Sequence, residues 1–168
     1  MNIFTKSILY LIVFSLLHFG YDWTKWVFLK PFCGINESVF QHLKMAFWSY
    51  LITSIIEYFI IKKKSNNFWF PRFFSVTIIP WIIFLVWYLA PAFIGKFSLS
   101  VYEIIWALFV TYLSGIIAGI IEKNLEQYEF TLCFRNIIVV LLLISALLYI
   151  CFTYKLPWVD VFIDPELL

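Results

Sequence analysis

Five long apolar stretches constrain this chain more than any other feature of its sequence. They cover residues 3–21, 45–61, 73–91, 101–121 and 132–154, with short polar connections between them. A hydrocarbon core about 30 Å thick takes roughly 20 helical residues to cross. Within lipid, every backbone N–H and C=O needs a partner, and a helix supplies these partners inside one segment. The sequence therefore predicts an all-α protein, a single-domain transmembrane bundle with about five spans.

The composition indicates that lipid surrounds this bundle. Of the 168 residues, 64% are hydrophobic and 13% are charged, whereas a soluble domain is about half apolar and about a quarter charged. The formal net charge is only +2 and the basic residues are scattered at helix ends, which does not suit nucleic-acid binding. Cys33, Cys133 and Cys151 have neither a metal-type nor a disulfide-type spacing. We expect a membrane protein that contacts the lipid bilayer and binds no nucleic acid.

The basic residues predict how the bundle is oriented. With five spans, the side of the N-terminus carries seven of the 12 lysines and arginines, and the run from Lys62 to Lys64 lies directly at a helix end. Because cytoplasmic loops are enriched in Lys and Arg, we place the N-terminus in the cytoplasm and the C-terminus outside. The residues after the first stretch contain no small-residue cleavage site, so we expect that stretch to be retained as a span.

Two ionisable residues lie near the end of the first stretch. His18 and Asp22 are four residues apart, so they share one face of a helix. At a rise of about 1.5 Å per residue from Lys6, His18 lies roughly 18 Å into the membrane. Charges at such depth cost about 2.5–3.5 kcal/mol on insertion scales and usually face a bundle interior or cavity. The pair fits proton transfer or metal binding, and a local hydrogen bond at a helix end is the simpler alternative.

The most polar run ahead of any span extends from Asn36 to Lys44. Asn36 as an N-cap and Glu37 in the first turn are ordinary features of a helix start. They do not explain why two further ionisable residues, His42 and Lys44, lie immediately before an apolar span. We therefore treat Glu37 and His42 as candidate catalytic residues, together with the two ionisable residues of the first stretch.

An odd number of spans brings this run and the C-terminal tail to the same side of the membrane. Two histidines and several carboxylates there would make a cluster suited to a divalent metal. The two histidines lack the i, i+4 spacing of zincins, and an ordinary solvated tail explains its two aspartates more simply. The candidate metal ligands are His18, Asp22, Glu37, His42, Asp160 and Asp164.

Small residues recur every four positions in the fourth stretch. Such a stripe lets helix backbones approach closely in lipid. It predicts packing against a neighbour in the same chain more strongly than a dimer seam, because a five-helix bundle needs such a face. Glu57 and Glu103 lie near helix ends, where pairing or snorkelling explains them. The residues of the stripe are Ala107, Thr111, Gly115 and Gly119.

The run from Asn36 to Lys44 resembles the hallmark of an uncharacterised family of small bacterial membrane proteins. In that family it usually reads Asn-Glu-Ser-Val-Trp-Glu-His-Leu-Lys. The similarity extends to residues 18–23, 55–59 and 162–165 and so covers nearly the whole chain. Here Phe40-Gln41 stands where Trp-Glu is usual in the family. Any role of a carboxylate at position 41 is therefore absent from this chain or belongs to another residue. The resemblance implies a family and a bacterial origin, but no activity.

Three functions stay open on the sequence alone. The first is a binding or accessory subunit, whose polar cluster fixes structure or contacts a protein partner. The second is a membrane enzyme acting on a lipid-like substrate, with His18 and His42 as acid/base groups or ligands. The third and weakest is a small transporter, since only Pro80 suggests a broken helix. Close approach of His18, Glu37 and His42 around an open cavity would favour the enzyme. The sequence does not decide the reaction, metal, partner or oligomeric state.

Overall fold

Five α-helices make up most of the computed structural model, which describes residues 1–62, 67–95 and 100–163. They are α1 (Ile3–Thr24), α2 (Val39–Ile60), α3 (Trp69–Ile94), α4 (Ser100–Leu125) and α5 (Leu132–Tyr154). All five are long and apolar enough to cross a membrane. The described ranges contain no β-strand. The prediction of an all-α bundle with five membrane-length helices is therefore confirmed.

Helices α1 to α4 form a ring in which each helix packs against the next and α4 packs against α1. Successive helices run in opposite directions. The N-terminal end of the ring contains the start of α1 and α3 and the end of α2 and α4. The distal end contains the end of α1 and α3 and the start of α2 and α4. Helix α5 lies outside the ring against α3.

The interior of the ring is filled at mid-height by large apolar and aromatic side chains. Tyr10 of α1 meets Tyr50 of α2 edge to face, with ring centroids 5.2 Å apart. Met45, Phe47 and Ile79 are fully buried beside them. In α5, by contrast, only Ile138 is fully buried. The ring therefore supplies the core, and α5 presents most of its surface to lipid.

The two glycines of the small-residue stripe, Gly115 and Gly119, lie at the contact between α4 and α1 of the same chain. A Cβ atom added at Gly115 would lie 3.0 Å from the Tyr10 ring and 3.2 Å from Ser7. A Cβ atom at Gly119 would lie 2.9 Å from Ile3. Because real Cβ atoms rarely come so close to their neighbours, α1 and α4 approach as they do only where α4 carries glycine.

Helix α2 begins at Val39, whereas the predicted second span began at residue 45. The additional turns contain Gln41 and Lys44, which are polar yet buried. Lys44 donates hydrogen bonds to the backbone oxygen of Lys30 at 2.7 Å and to Thr153 of α5 at 3.3 Å. The polar run before the second span is therefore part of the packed helix, so its side chains are held in place.

Candidate metal centre

Three potential metal ligands converge at the distal end of the ring. His18 lies in the last turns of α1, Glu37 lies just before α2, and His42 lies in its first turn. One ligand atom from each of the three lies within 4.8 Å of the other two. His18 and His42 are partly exposed and Glu37 is exposed, so the group is open to its surroundings on one side.

The loop between α1 and α2 folds back against α1 and so positions Glu37. The backbone N–H of Gly34 donates to the carbonyl of Leu17 at 3.1 Å. A side chain at Gly34 would meet Met45 at 3.0 Å and the His18 carbonyl at 3.4 Å, so this close approach requires glycine. Because the loop contacts α1 at residues 17 and 18, it delivers the start of α2 to the side of His18.

Hydrogen bonding fixes the orientation of the His42 ring. Its Nδ1 lies 3.0 Å from the backbone oxygen of Ser38. A carbonyl oxygen only accepts, so Nδ1 carries the proton and donates it. The other nitrogen, Nε2, then faces Glu37 Oε2 at 3.4 Å. Metal-binding histidines usually have this arrangement, with the ring nitrogen that does not bind metal donating to a backbone carbonyl or carboxylate.

His18 approaches the same carboxylate from the other helix. Its Nε2 lies 3.8 Å from Glu37 Oε1. Its ring stacks on Phe19, with centroids 4.8 Å apart, and meets His42 nearly at right angles, with centroids 5.6 Å apart. Each histidine therefore directs a nitrogen towards a different oxygen of one carboxylate.

The electrostatic surroundings keep the Glu37 carboxylate ionised. The hydrogen bond with His42 is the main cause that holds the pKa of Glu37 below its ordinary value of 4.5. Partial burial acts in the opposite direction, and the charges of His42 and His18 lower the pKa further. The carboxylate is therefore in the ionised form that binds a cation, and a metal ion would displace the proton from each histidine nitrogen that faces it.

The spacing of these atoms fits a tetrahedral metal site. Zinc bonds of about 2.0–2.2 Å place neighbouring donor atoms about 3.4 Å apart. The two histidine-to-carboxylate distances are 3.4 Å and 3.8 Å, to different oxygens of Glu37, and the three ligand atoms lie within 4.8 Å of one another, so the side chains would have to move closer together around an ion. Two histidines and one glutamate are a ligand set of catalytic zinc sites, in which a fourth position stays open.

Of the other predicted ligands, the two that the structure describes, Asp22 and Asp160, are not part of this group. Asp22 accepts a hydrogen bond from Lys25 at 2.7 Å, and both side chains are largely exposed. Asp160 is exposed at the start of a short 3-10 helix, Asp160–Phe162. Asp164 lies outside the described residues, as do Lys63 and Lys64 of the basic run. Among the described residues, the structure brings together three of the six predicted ligands.

A second polar cluster, at the N-terminal end of the ring, was missed by the sequence analysis. Lys6 Nζ lies 2.6 Å from both Glu57 Oε2 and Glu122 Oε2. Arg72 donates to Glu57 at 3.2 Å and 3.3 Å, and also to Glu126. Glu57 is therefore paired, as its position near a helix end suggested, but its side-chain partners come from two other helices, α1 and α3. We call Lys6, Glu57, Arg72, Glu122 and Glu126 the charged cluster.

A pattern that marks the charged cluster becomes visible once the helix bounds are known. Lys6, Glu57, Arg72 and Glu122 each lie three residues inside the end of their helix, and their charges alternate around the ring. Each charge taken alone resembles an ordinary helix-end residue. Only the fact that all four residues lie at the same distance from the same end of the ring indicates that their side chains meet.

Five membrane-length helices, with a buried charged cluster at one end and a His–Glu–His site at the other, define an integral membrane protein of the polytopic, all-helical class. The chain belongs to the family described as "Family of unknown function (DUF6512)", which matches residues 2–166. An uncharacterised family is also what the run from Asn36 to Lys44 implied. Neither a curated protein nor a solved structure matches the chain.

Proposed function

We propose that this protein is a metal-binding membrane protein, in which His18, Glu37 and His42 hold a divalent transition metal. The observation that carries this proposal is the convergence of three donor groups within 4.8 Å. A bound zinc-class ion would act as a Lewis acid at the position left open by three protein ligands. The proposed role is that of a binding or accessory subunit, whose partner or lipid-like ligand approaches the open side of the site.

A simple ion pair explains this arrangement less well. The hydrogen bond between Glu37 and His42 is local, since the two residues flank the start of one helix. It does not require His18, which comes from α1 and is directed at the second oxygen of the same carboxylate. It also does not require the bond from His42 Nδ1 to Ser38, which aims Nε2 at the centre of the group. Both features follow if the three residues share a cation.

Elemental analysis of the detergent-purified protein tests this proposal. After equilibration with Zn²⁺ and removal of the excess, we expect about one zinc per chain in the wild type. Loss of a ligand should reduce affinity at least about tenfold, by analogy with the cost of losing even an outer-shell partner, so His42→Ala should retain little metal. Asp22→Asn is the matched control, because it removes a nearby carboxylate that bonds to Lys25. Equal, substoichiometric zinc in the wild type and His42→Ala would contradict the proposal.

A metal-dependent enzyme acting on a lipid-like substrate is the second candidate. The observation that favours it is the open position of the ligand set, which lies close to exposed aromatic residues. Trp23 and Trp26, 69% and 58% exposed, follow His18 and are of the type enriched at membrane interfaces. A substrate in the outer leaflet would reach the site from this side. Metal binding by the three ligands is a precondition for this candidate too.

We also propose that the distal end faces the outside of a bacterial cytoplasmic membrane. The larger number of basic residues on the side of the N-terminus supports this orientation. The test uses a background in which Cys33, Cys133 and Cys151 are replaced by alanine. In intact cells, a membrane-impermeant maleimide should label Lys25→Cys at the distal end, but should label Lys62→Cys only after the cells are opened. The reverse pattern would show that the N-terminus lies outside.

A further inference from the structure

The charged cluster borders a cavity at the N-terminal end of the ring. The cavity has a volume of about 250 Å³, and its lining includes the five residues of the cluster together with Gly119. It has room for several water molecules. Lys6 is held between Glu57 and Glu122 at the inner wall, which leaves little space for a larger solute to pass deeper.

One carboxylate oxygen of this wall lacks a partner. Glu122 Oε2 bonds to Lys6, whereas Glu122 Oε1 is buried and has no hydrogen-bond partner within the described ranges. The hydroxyl of Tyr50 lies beside this carboxylate, but without the geometry of a direct hydrogen bond, and it too is unpartnered. Buried polar atoms of this kind are costly unless a donor or acceptor reaches them. A water molecule between the two groups would satisfy both.

Further unpartnered hydroxyls continue from this point into the ring. Thr53 and Ser54 of α2 are fully buried, and their hydroxyl oxygens have no hydrogen-bond partner in the part of the chain described. The Tyr10 hydroxyl is also unpartnered and lies near Ser49 and Ser114.

We call these groups, together with Glu57 and Glu122, the polar column. On α2, the residues Glu57, Thr53 and Ser49 are spaced one helical turn apart, so they lie on one face and extend for about 12 Å. Ser49 and Ser114 donate to carbonyls of their own helices, so their oxygens remain available as acceptors. The column therefore offers donors and acceptors for a chain of water molecules.

An apolar layer ends this column in the middle of the ring. The next turn of α2 contains Met45, Ala46 and Phe47, all fully buried. Ile79 and Val110 complete the layer from α3 and α4. Beyond it lie the distal end and the His–Glu–His site. The polar column thus starts at one membrane face and stops about halfway across.

We propose that the N-terminal end of the ring is a water-filled half-channel through which protons reach the middle of the membrane from that side alone. Water links the cavity to Glu122 and to the hydroxyls of Tyr50, Thr53 and Tyr10. Carboxylates and hydroxyls exchange protons with bound water, and intramembrane acidic residues commonly serve proton relays. The cavity and the unpartnered atoms support this proposal independently of the metal site.

A cysteine placed in the column measures both water and proton access. Thr53→Cys and Met45→Cys are made in the cysteine-free background described above; both positions are fully buried in α2, two turns apart. The cysteine thiolate attacks a water-soluble methanethiosulfonate reagent, forms a mixed disulfide and displaces methanesulfinate, and the thiolate forms only where water reaches the sulfur. We expect Thr53→Cys to react at least about tenfold faster than Met45→Cys. Equal rates at the two positions would overturn the half-channel.

The same variant tests sidedness in vesicles of known orientation. The rate of Thr53→Cys with a membrane-permeant thiol reagent should rise about eightfold when the pH on the N-terminal side increases from about 7 to 8, as expected for a thiol of pKa about 8.5. It should not respond to the pH on the distal side. A response to neither side, or to both, would overturn proton access from one side.

Hydroxyl-radical footprinting tests the same proposal on the unmodified protein, so its result does not depend on whether the substituted variants fold correctly. Radicals generated from bound water should oxidise Tyr50 and Tyr10. Met45 should remain unmodified although methionine is readily oxidised, because it lies in the apolar layer. Oxidation of Met45 without oxidation of the tyrosines would contradict the proposal.

Discussion

Replacing Lys6 with methionine is expected to lower the free energy of unfolding by about 3–5 kcal/mol, the usual cost of removing one partner of a buried ion pair. Lys6 is 2% exposed and donates to both Glu57 and Glu122 at 2.6 Å, whereas Arg72 lies 3.8 Å from Glu122. Without its ammonium group, the two buried carboxylates keep only Arg72 and the amino group of Met1, which lies 3.4 Å from Glu57, as cations within the described residues. Unfolding by denaturant in mixed micelles would measure the change.

Lys25→Met is the matched control for this prediction. Lys25 also bonds to a carboxylate, Asp22, at 2.7 Å, but both side chains are more than 60% exposed. Exposed pairs contribute little to stability, so the control should behave like the wild type. The double variant Lys6→Met/Glu122→Leu should recover part of the loss, because it also removes an unpaired buried charge. Similar stability of Lys6→Met and Lys25→Met would show that the charged cluster does not stabilise the ring.

Replacing Gly115 with leucine is expected to destabilise the ring by about 1–3 kcal/mol, as overpacking of a filled interior usually does. The first side-chain carbon alone would lie 3.0 Å from the Tyr10 ring and 3.2 Å from Ser7. Tyr10 is fully buried against Tyr50, so it has no space into which to move. Helix α1 would have to shift away from α4. Gly115→Ala should also destabilise the ring, but by less, because it adds only the first side-chain carbon.

Ile120→Leu serves as the control for Gly115→Leu, because Ile120 lies on α4 and is 46% exposed. The same unfolding assay, combined with size-exclusion chromatography, separates the two explanations of the small-residue stripe. Loss of stability without a change in oligomeric state is expected for packing within one chain. Unchanged stability with loss of an oligomer would instead identify the stripe as a dimer seam.

The five helices were predictable because each span has to pair its own backbone N–H and C=O groups in lipid, which only a helix can do within one segment. The length of each apolar stretch therefore predicts a helix directly. The polar run from Asn36 also has the features of a helix start, and α2 begins close by, at Val39. What could not be predicted is that this first turn is buried. A polar turn before a span looks like a solvated approach, yet Gln41 and Lys44 are buried. Lys44 bonds to the Lys30 carbonyl and to Thr153, which are distant in sequence. Apolarity alone does not reveal a polar residue whose partners come from elsewhere in the chain.

The candidate site was predictable as a set of residues on one side of the membrane, but its membership was not. An odd number of crossings places all the candidates at one end. Which of them meet depends on how the loop between α1 and α2 folds back, and this is decided by contacts such as Gly34 against Met45. Asp22 shares the helix of His18, but it bonds to Lys25. The charged cluster was missed because it requires four helices to be aligned in depth at once.

The fifth helix has a consequence for the route of the chain. The ring closes through contacts among its four members, so α5 is not needed to seal it. What α5 does is return the polypeptide to the distal end, where Phe162 packs on Phe40 with centroids 4.7 Å apart. With an even number of crossings, the tail would emerge a membrane thickness away. The last helix therefore brings the chain back to the distal end, so that the short helix Asp160–Phe162 packs against the turn of α2 that carries His42.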